Sequence, residues 1–208
     1  LIDLYTKLGH SYKQITMYID KCYDCFMFTT VANLSNRHIH LTDEDVETLF
    51  GAGQKLTSKV ELLQPRAFAA KECVTIAGPS GVIERVRVVG PTRSATQCEI
   101  LTGDTYKLGY KPDDVPVRLS GNIAGSAGFT ITGPAGSIEK TEGLIIAKRH
   151  IHISPEQAAE IGLHDTQPVT VRIDGRKGRT DLHDVIVRIQ PGAMLECHID
   201  TEEGNAAG

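Results

Sequence analysis

"SNRHIHLT" at residues 35–42 returns as "AKRHIHIS" at 147–154, with His38 and His150 standing 112 residues apart (150 − 38). Four of the chain's 8 histidines fall in these two copies. On an extended strand, residues i and i+2 point to the same face, so His38 converges with His40 and His150 with His152. A single His-x-His reads equally well as two half-exposed strand histidines. The duplication favours metal binding, because His198 in "CHIDTEEGN" brings the count to five imidazoles, enough nitrogen for two zinc-like centres.

Each copy runs straight into a helix-start signal. Thr42 with Asp45 three residues on, and Ser154 with Pro155 and Gln157, have the form of an N-cap followed by a capping-box partner. Each half therefore reads as strand, His-x-His, short helix. A second echo, "GPSGVIE" at 78–84 and "GPAGSIE" at 133–139, places a tight turn between two strands in each half.

Between these marks the chain is rich in short Val, Ile and Thr segments bounded by Gly-Pro, Pro-Gly and Asp-Gly pairs, with period-two alternation at Val86 and Val88 and at Val169, Val171 and Ile173. Aromatic residues are only 5%, Trp is absent and Gly numbers 20, a balance that favours strands and turns. The expected fold is mainly β: two related small β-barrel domains with short capping helices, over 31–115 and 116–208, parted in "LGYKPDDVPVRLSG" (108–121). Residues 1–30 stand apart. Leu1, Leu4, Tyr5, Leu8, Tyr12, Ile15 and Ile19 recur at spacings of three and four, which predicts an amphipathic helix that either packs on its own domain or docks on a partner.

The 208 residues carry a formal charge of −4, which gives no electrostatic reason to expect nucleic acid or an anionic membrane. No apolar run approaches the roughly 20 residues a bilayer requires. The five cysteines and the lack of a secretory signal at the start suit a reducing, cytoplasmic setting with free thiols. Cys22 and Cys25 form one isolated pair, read as structural or incidental. "GAGQKLTS" (51–58) lacks the spacing of a phosphate loop, and "GNIAGSAG" (121–128) reads as a flexible connection. His10, His164 and His183 are isolated and read as surface residues.

Candidate oxygen and sulfur ligands are Cys98, Glu99, Glu196, Cys197 and Asp200. Arg93 lies six residues before Glu99, an even spacing that puts both on one face of an unbroken strand. An arginine beside a divalent metal is suited to clamp phosphate or carboxylate, since its planar fork matches them.

"LSNRHIHLT", "GPSGVIERVRVVGPTRSATQCEI", "GSAGFTITGPAGSIEKTEGLIIAKRHIHIS" and "HIDTEEGNAAG", in that order, resemble the PduL-type phosphotransacylase family, from about residue 31 to the end of the sequence. The resemblance implies an enzyme that interconverts acyl-CoA plus phosphate with acyl phosphate plus CoA, with propanoyl-CoA or acetyl-CoA as thioester and two zinc ions between two β-barrel domains. By motif position the first zinc takes His38, His40 and Glu99, and the second His150, His152 and His198. Arg93 holds phosphate, and CoA contacts fall on Leu34, Ser35, Asn36, Arg87 and Asn205. The family's turn has lysine where this chain has Ser80, and alanine where it has Gly204.

Members of the family in bacterial microcompartments carry an N-terminal amphipathic helix that directs encapsulation. The helix expected over 1–30 is similar in kind, which points to a microcompartment interior and to shell or cargo partners; a homodimer is also expected. Two rival readings of the same residues are a zinc hydrolase and a non-catalytic metal-binding adaptor of a protein shell.

Overall fold

In a computed structural model, residues 13–19 and 26–208 are described, with side chains from residue 28 onward. The described residues divide into two compact units, one drawn from 1–35, 63–65 and 148–208 and one of 36–62 and 66–147.

The first unit is a closed barrel of β1 (Lys13–Ile19), β2 (Phe26–Ser35), β11 (His150–Ile153), β12 (Pro168–Gly175), β13 (Gly178–Ile189) and β14 (Glu196–Asp200), in the order β1-β12-β13-β11-β14-β2. Its core is formed by Ile151, Ile153, Val171, Val185, Val187 and Cys197, with Ile199 beside them. The second unit holds β3 (His38–His40), β4 (Ser58–Glu61), β5 (Phe68–Ala77), β6 (Val82–Gly90), β7 (Gln97–Ile100), β8 (Val117–Arg118), β9 (Ala127–Thr132) and β10 (Ser137–Ala147). Because β9 pairs with both β10 and β5, the order β5-β6-β3-β7-β10-β9 returns on itself, with β4 and β8 beside the ring. Ile39, Leu41, Leu49, Ile76, Val88, Ile131 and Leu144 fill it.

The two rings follow one plan. β3 lies parallel to β6 and antiparallel to β7, as β11 lies parallel to β13 and antiparallel to β14. β7 then runs parallel to β10, as β14 does to β2. Each His-x-His strand leads to the expected short helix. Thr42 accepts from the Asp45 amide at 3.1 Å to cap α1 (Asp43–Phe50), and Ser154 accepts from Gln157 at 3.2 Å to cap α3 (Pro155–Ile161), with α2 (Thr102–Leu108) lying between them in sequence. Helix α4 (Thr201–Ala207) closes the chain under the side chain of Asp200.

The units do not follow a division at 115/116. The strand that leads into each His-x-His segment belongs to the other unit: β2 ends at Ser35 and β3 begins at His38, β10 ends at Ala147 and β11 begins at His150. In each case only two residues, 36–37 and 148–149, join a strand of one unit to the His-x-His strand of the other. The sequence repeat and the compact unit are therefore offset by one hairpin.

The helix expected over 1–30 is not present at 13–19 or 26–30, where the chain forms β1 and β2. The physical reason is that Ile15 and Ile19 are four apart, an even spacing that suits a strand face as well as a helix face. Met17 completes the period-two set in "KQITMYI", and two neighbouring strands supply backbone partners. The remainder of the expected helix, Cys22 and Cys25 lie outside the described residues.

The Gly-Pro echo also differs from its expected placement of one turn per half. Both turns lie in the second unit, joining β5 to β6 and β9 to β10. Each closes with a Gly-to-Gly bond of 2.9 Å and packs on a helix end: the Ser80 amide donates to Leu108 O at the end of α2, and the Ala135 amide to Leu49 O near the end of α1. These bonds satisfy carbonyls that a helix terminus leaves unpaired. The approach is close enough that a Cβ at Gly81 would lie 1.8 Å from Lys107 O, a backbone atom that cannot swing aside. Gly81→Ala is expected to cost about 2 kcal/mol in urea unfolding, and an unchanged midpoint would show that the α2 end yields.

Candidate metal centres

Period-two alternation and one strand register build each cluster. In the second unit, Ile39 is fully buried in the core, so the side chains of His38 and His40 lie on the opposite face of β3. The antiparallel register with β7 sets His38 opposite Glu99 and His40 opposite Gln97. Cys98, between Gln97 and Glu99, is fully buried and packs in the core.

The His38 Nδ1 donates to Asn36 O at 2.8 Å and the His40 Nδ1 to Val89 O at 2.9 Å. A carbonyl can only accept, so each Nδ1 carries a proton, and the Nε2 atoms are the ones turned toward Glu99. Those atoms lie 3.5 Å and 4.0 Å from the Glu99 oxygens. Burial would raise the Glu99 carboxyl, but His38, His40, the Ser120 hydroxyl and Arg93 outweigh it and hold the group well below the usual carboxylate range. Burial, with His38 and Arg93 adding to it, pulls His40 down, which keeps its imidazole neutral and able to ligate.

In the first unit, β11 and β14 set His150 opposite His198 and His152 opposite Glu196. His150 Nδ1 donates to Lys148 O at 2.9 Å and His152 Nδ1 to the Gln190 side-chain oxygen at 3.0 Å. The two Nε2 lone pairs then face each other at 3.1 Å. Burial, reinforced by His198, pulls His150 well down and His152 to about 3, so neither ring relieves that contact by taking a proton.

His38, His40 and Glu99 form one group, and His150, His152 and His198 another, each with ligand atoms within 4.8 Å of one another. A zinc ion held at roughly 2.0–2.1 Å sets tetrahedral ligand atoms about 3.3 Å apart. Both donor sets fit a divalent metal: Nδ1 is engaged by an oxygen at His38, His40, His150 and His152, which aims Nε2 at the cluster, and the His150 and His152 Nε2 atoms lie 3.1 Å apart.

Arg93 does not share a strand with Glu99. It lies in the exposed loop between β6, which ends at Gly90, and β7, which begins at Gln97. Its backbone amide donates to Leu41 O at 2.8 Å, and its guanidinium donates to the Ser120 hydroxyl at 2.9 Å. Through Ser120 it joins the cluster, since the Gln97 amide donates both to that hydroxyl at 2.9 Å and to Glu99 at 2.6 Å. Gln97 and Ser120 went unmarked in the sequence; the alternation of "QCEI" around buried Cys98 is the signal that points to Gln97.

Leu34 and Ser35 end β2 in the first unit, paired with Ile199 and Asp200 of β14, which brings them beside α4 and Asn205. Leu34 is exposed, and a Cβ at Gly204 would meet its Cδ2 at 2.5 Å. Asn36 and Arg87 belong to the second unit. The Arg87 guanidinium is anchored on Ala70 O and Lys71 O, both at 2.9 Å. His164 and His183 are exposed, as expected, and "GAGQKLTS" follows a helix and not a strand. Among the described residues no helix is long and apolar enough to cross a membrane.

A mainly β fold with two His-x-His clusters, one completed by a carboxylate and one by imidazole, defines a class of duplicated β-barrel protein with two side-chain groups that could each hold a metal ion. The family model for phosphate propanoyltransferase matches residues 31–208. A phosphate propanoyltransferase of Thermotoga maritima is 49% identical over 177 residues, covering 85% of this chain and 83% of its own. Those of Priestia megaterium and Salmonella typhimurium are 51% identical over 173 residues (83% and 78% covered) and 42% identical over 175 (84% and 81%). The chain belongs to the phosphate propanoyltransferase family, a family of acyltransferases.

Gln97→Leu leaves both imidazoles in place but deprives Glu99 and Ser120 of a donor and the Gly121 amide of its acceptor at 2.7 Å. A loss of about 1–3 kcal/mol is expected in chemical denaturation, the cost of leaving buried polar groups unpaired.

Proposed function

We propose that this protein interconverts acyl-CoA and phosphate with acyl phosphate and CoA, with propanoyl-CoA or acetyl-CoA as the thioester, and that it holds one zinc ion at each cluster. The observation that carries the reading is Arg93, an exposed guanidinium tied through Ser120 and Gln97 to the His38–His40–Glu99 cluster. Its planar fork matches two phosphate oxygens.

In the forward direction a phosphate oxygen, oriented by Arg93, adds to the thioester carbonyl carbon; the C–S bond then breaks and sulfur leaves as the CoA thiolate. Arg93 offsets part of the charge that accumulates as two anions approach each other. A zinc ion, when bound, supplies the Lewis acidity that polarises a carbonyl and steadies a leaving thiolate.

No protein nucleophile is needed, and the thiols nearest the clusters are poorly placed to act as one. Cys98 and Cys197 are fully buried and pack in the barrel cores, where burial, helped by neighbouring carboxylates, pushes both thiols above their ordinary range. Contacts to CoA are assigned to Leu34, Ser35 and Asn205 in the first unit and to Asn36 and Arg87 in the second. Ser80, in a turn held against α2, offers a hydroxyl and no charge to the nucleotide's phosphates. Residence in a bacterial microcompartment and assembly as a homodimer belong to the same proposal and rest on the family resemblance alone.

Release of free CoA from propanoyl-CoA is expected only when phosphate is supplied. Equal release without phosphate would favour a hydrolase, and no release under either condition would favour an adaptor. Arg93→Ala is expected to raise the phosphate KM and to lower turnover by about 100-fold with zinc content unchanged, and wild-type kinetics would remove the clamp role. Dialysis against a chelator is expected to abolish activity and added zinc to restore it; full activity in protein shown by elemental analysis to be metal-free would end the zinc reading.

A further inference from the structure

The ends of the two metal-bearing strands repeat with one exchange. β7 reads "QCEI" and β14 opens "ECHI", each with a buried cysteine between two site-facing residues. Gln97 lies opposite His40, and Glu196 lies at the same register opposite His152; Glu99 and His198 follow two residues later. Each strand therefore carries one buried carboxylate toward its cluster, at alternate positions. In the second unit it is Glu99, a member of the ligand group; in the first it is Glu196, which is not.

Glu196 is fully buried at 0% exposure. Its Oε2 lies 2.7 Å from His198 Nε2 and accepts from the Gln64 amide at 2.8 Å. Gln64 is itself fixed by donating to Met194 O at 2.9 Å and accepting from the Met194 amide at 3.2 Å. The other oxygen, Oε1, is buried and accepts no hydrogen bond among the described residues, while the nearby Asn33 side chain helps hold the carboxylate in its charged form. A buried carboxylate left half-satisfied is costly, and a fully desolvated charge persists where an opposite charge faces it. A divalent cation held by His150, His152 and His198 would supply such a charge.

We propose that Glu196 is the positioning carboxylate of the His150–His152–His198 centre: it fixes the His198 ring and places a buried negative charge beside the divalent cation that the three histidines would hold. Gln64 in turn holds Glu196. Carboxylates that orient a ligating histidine commonly govern about 10–100-fold of metal affinity. The inference rests on the zinc reading above, and the test separates the two.

The full chain, stripped of metal, is titrated with zinc in competition with a chromophoric chelator, and His150→Ala identifies which binding event belongs to this centre. Glu196→Gln keeps the shape and removes the charge; it is expected to weaken that event by about 10–100-fold and to leave the other unchanged. Glu196→Asp is expected to recover part of the loss, and Gln64→Ala to weaken the same event several-fold. If wild type takes up two zinc ions and Glu196→Gln binds both as tightly, the role of Glu196 is overturned while the zinc reading stands. If wild type takes up none, the zinc reading fails and this inference with it. Should Glu196→Gln not fold, Gln64→Ala decides: weaker binding at this centre supports the proposal and unchanged binding overturns it.

Discussion

The register between each His-x-His strand and its antiparallel neighbour is the constraint on which both clusters depend. Setting His38 opposite Glu99, and His150 opposite His198, brings donor atoms from two strands to one point. A slip of one residue would carry every one of these side chains to the core face and bring Ile39 or Ile151 out. Those two isoleucines, both fully buried, hold the register, because exposing either would forfeit roughly 1.5–3 kcal/mol of burial. The core and the ligand set are thus fixed by the same alternation.

On this shared frame the two units differ chemically. The second unit completes its group with a carboxylate, and ties that carboxylate by way of Gln97 and Ser120 to an exposed arginine. The first completes its group with a third imidazole and carries its carboxylate beside the group instead. Pinning of Nδ1 by backbone or amide oxygen recurs at four of these histidines, which orients the rings and leaves Nε2 available. The buried thiols between the site-facing residues take no part in this pattern and serve as core.

Much of this was legible in the sequence, for identifiable reasons. Alternation with period two and the duplicated "RHIH" pointed to strands and paired imidazoles, and the caps at Thr42 and Ser154 are local signals that need only three residues to be read. At residues 13–19 the strand replaces the expected helix because a spacing of four satisfies helix and strand alike, and only the backbone partners on β2 and β12 decide between them. Even spacing sets Arg93 on the face of Glu99 only while the strand is unbroken, and here a loop intervenes.

The sequence by itself determined that the chain is mainly β, that it is built twice, and which histidines work in pairs, because each of these rests on spacings of two to four residues. Tertiary structure alone decided which strands share a barrel, since two-residue links send each leading hairpin into the other unit, and a pairing between residues as distant as Leu34 and Ile199 leaves no trace in local pattern. The sequence marks Glu196 as a candidate ligand, and tertiary structure alone shows it to lie beside the three-histidine group and not within it. Alternation in "ECHID" puts Glu196 on the face of His198, but its complete burial is a property of packing.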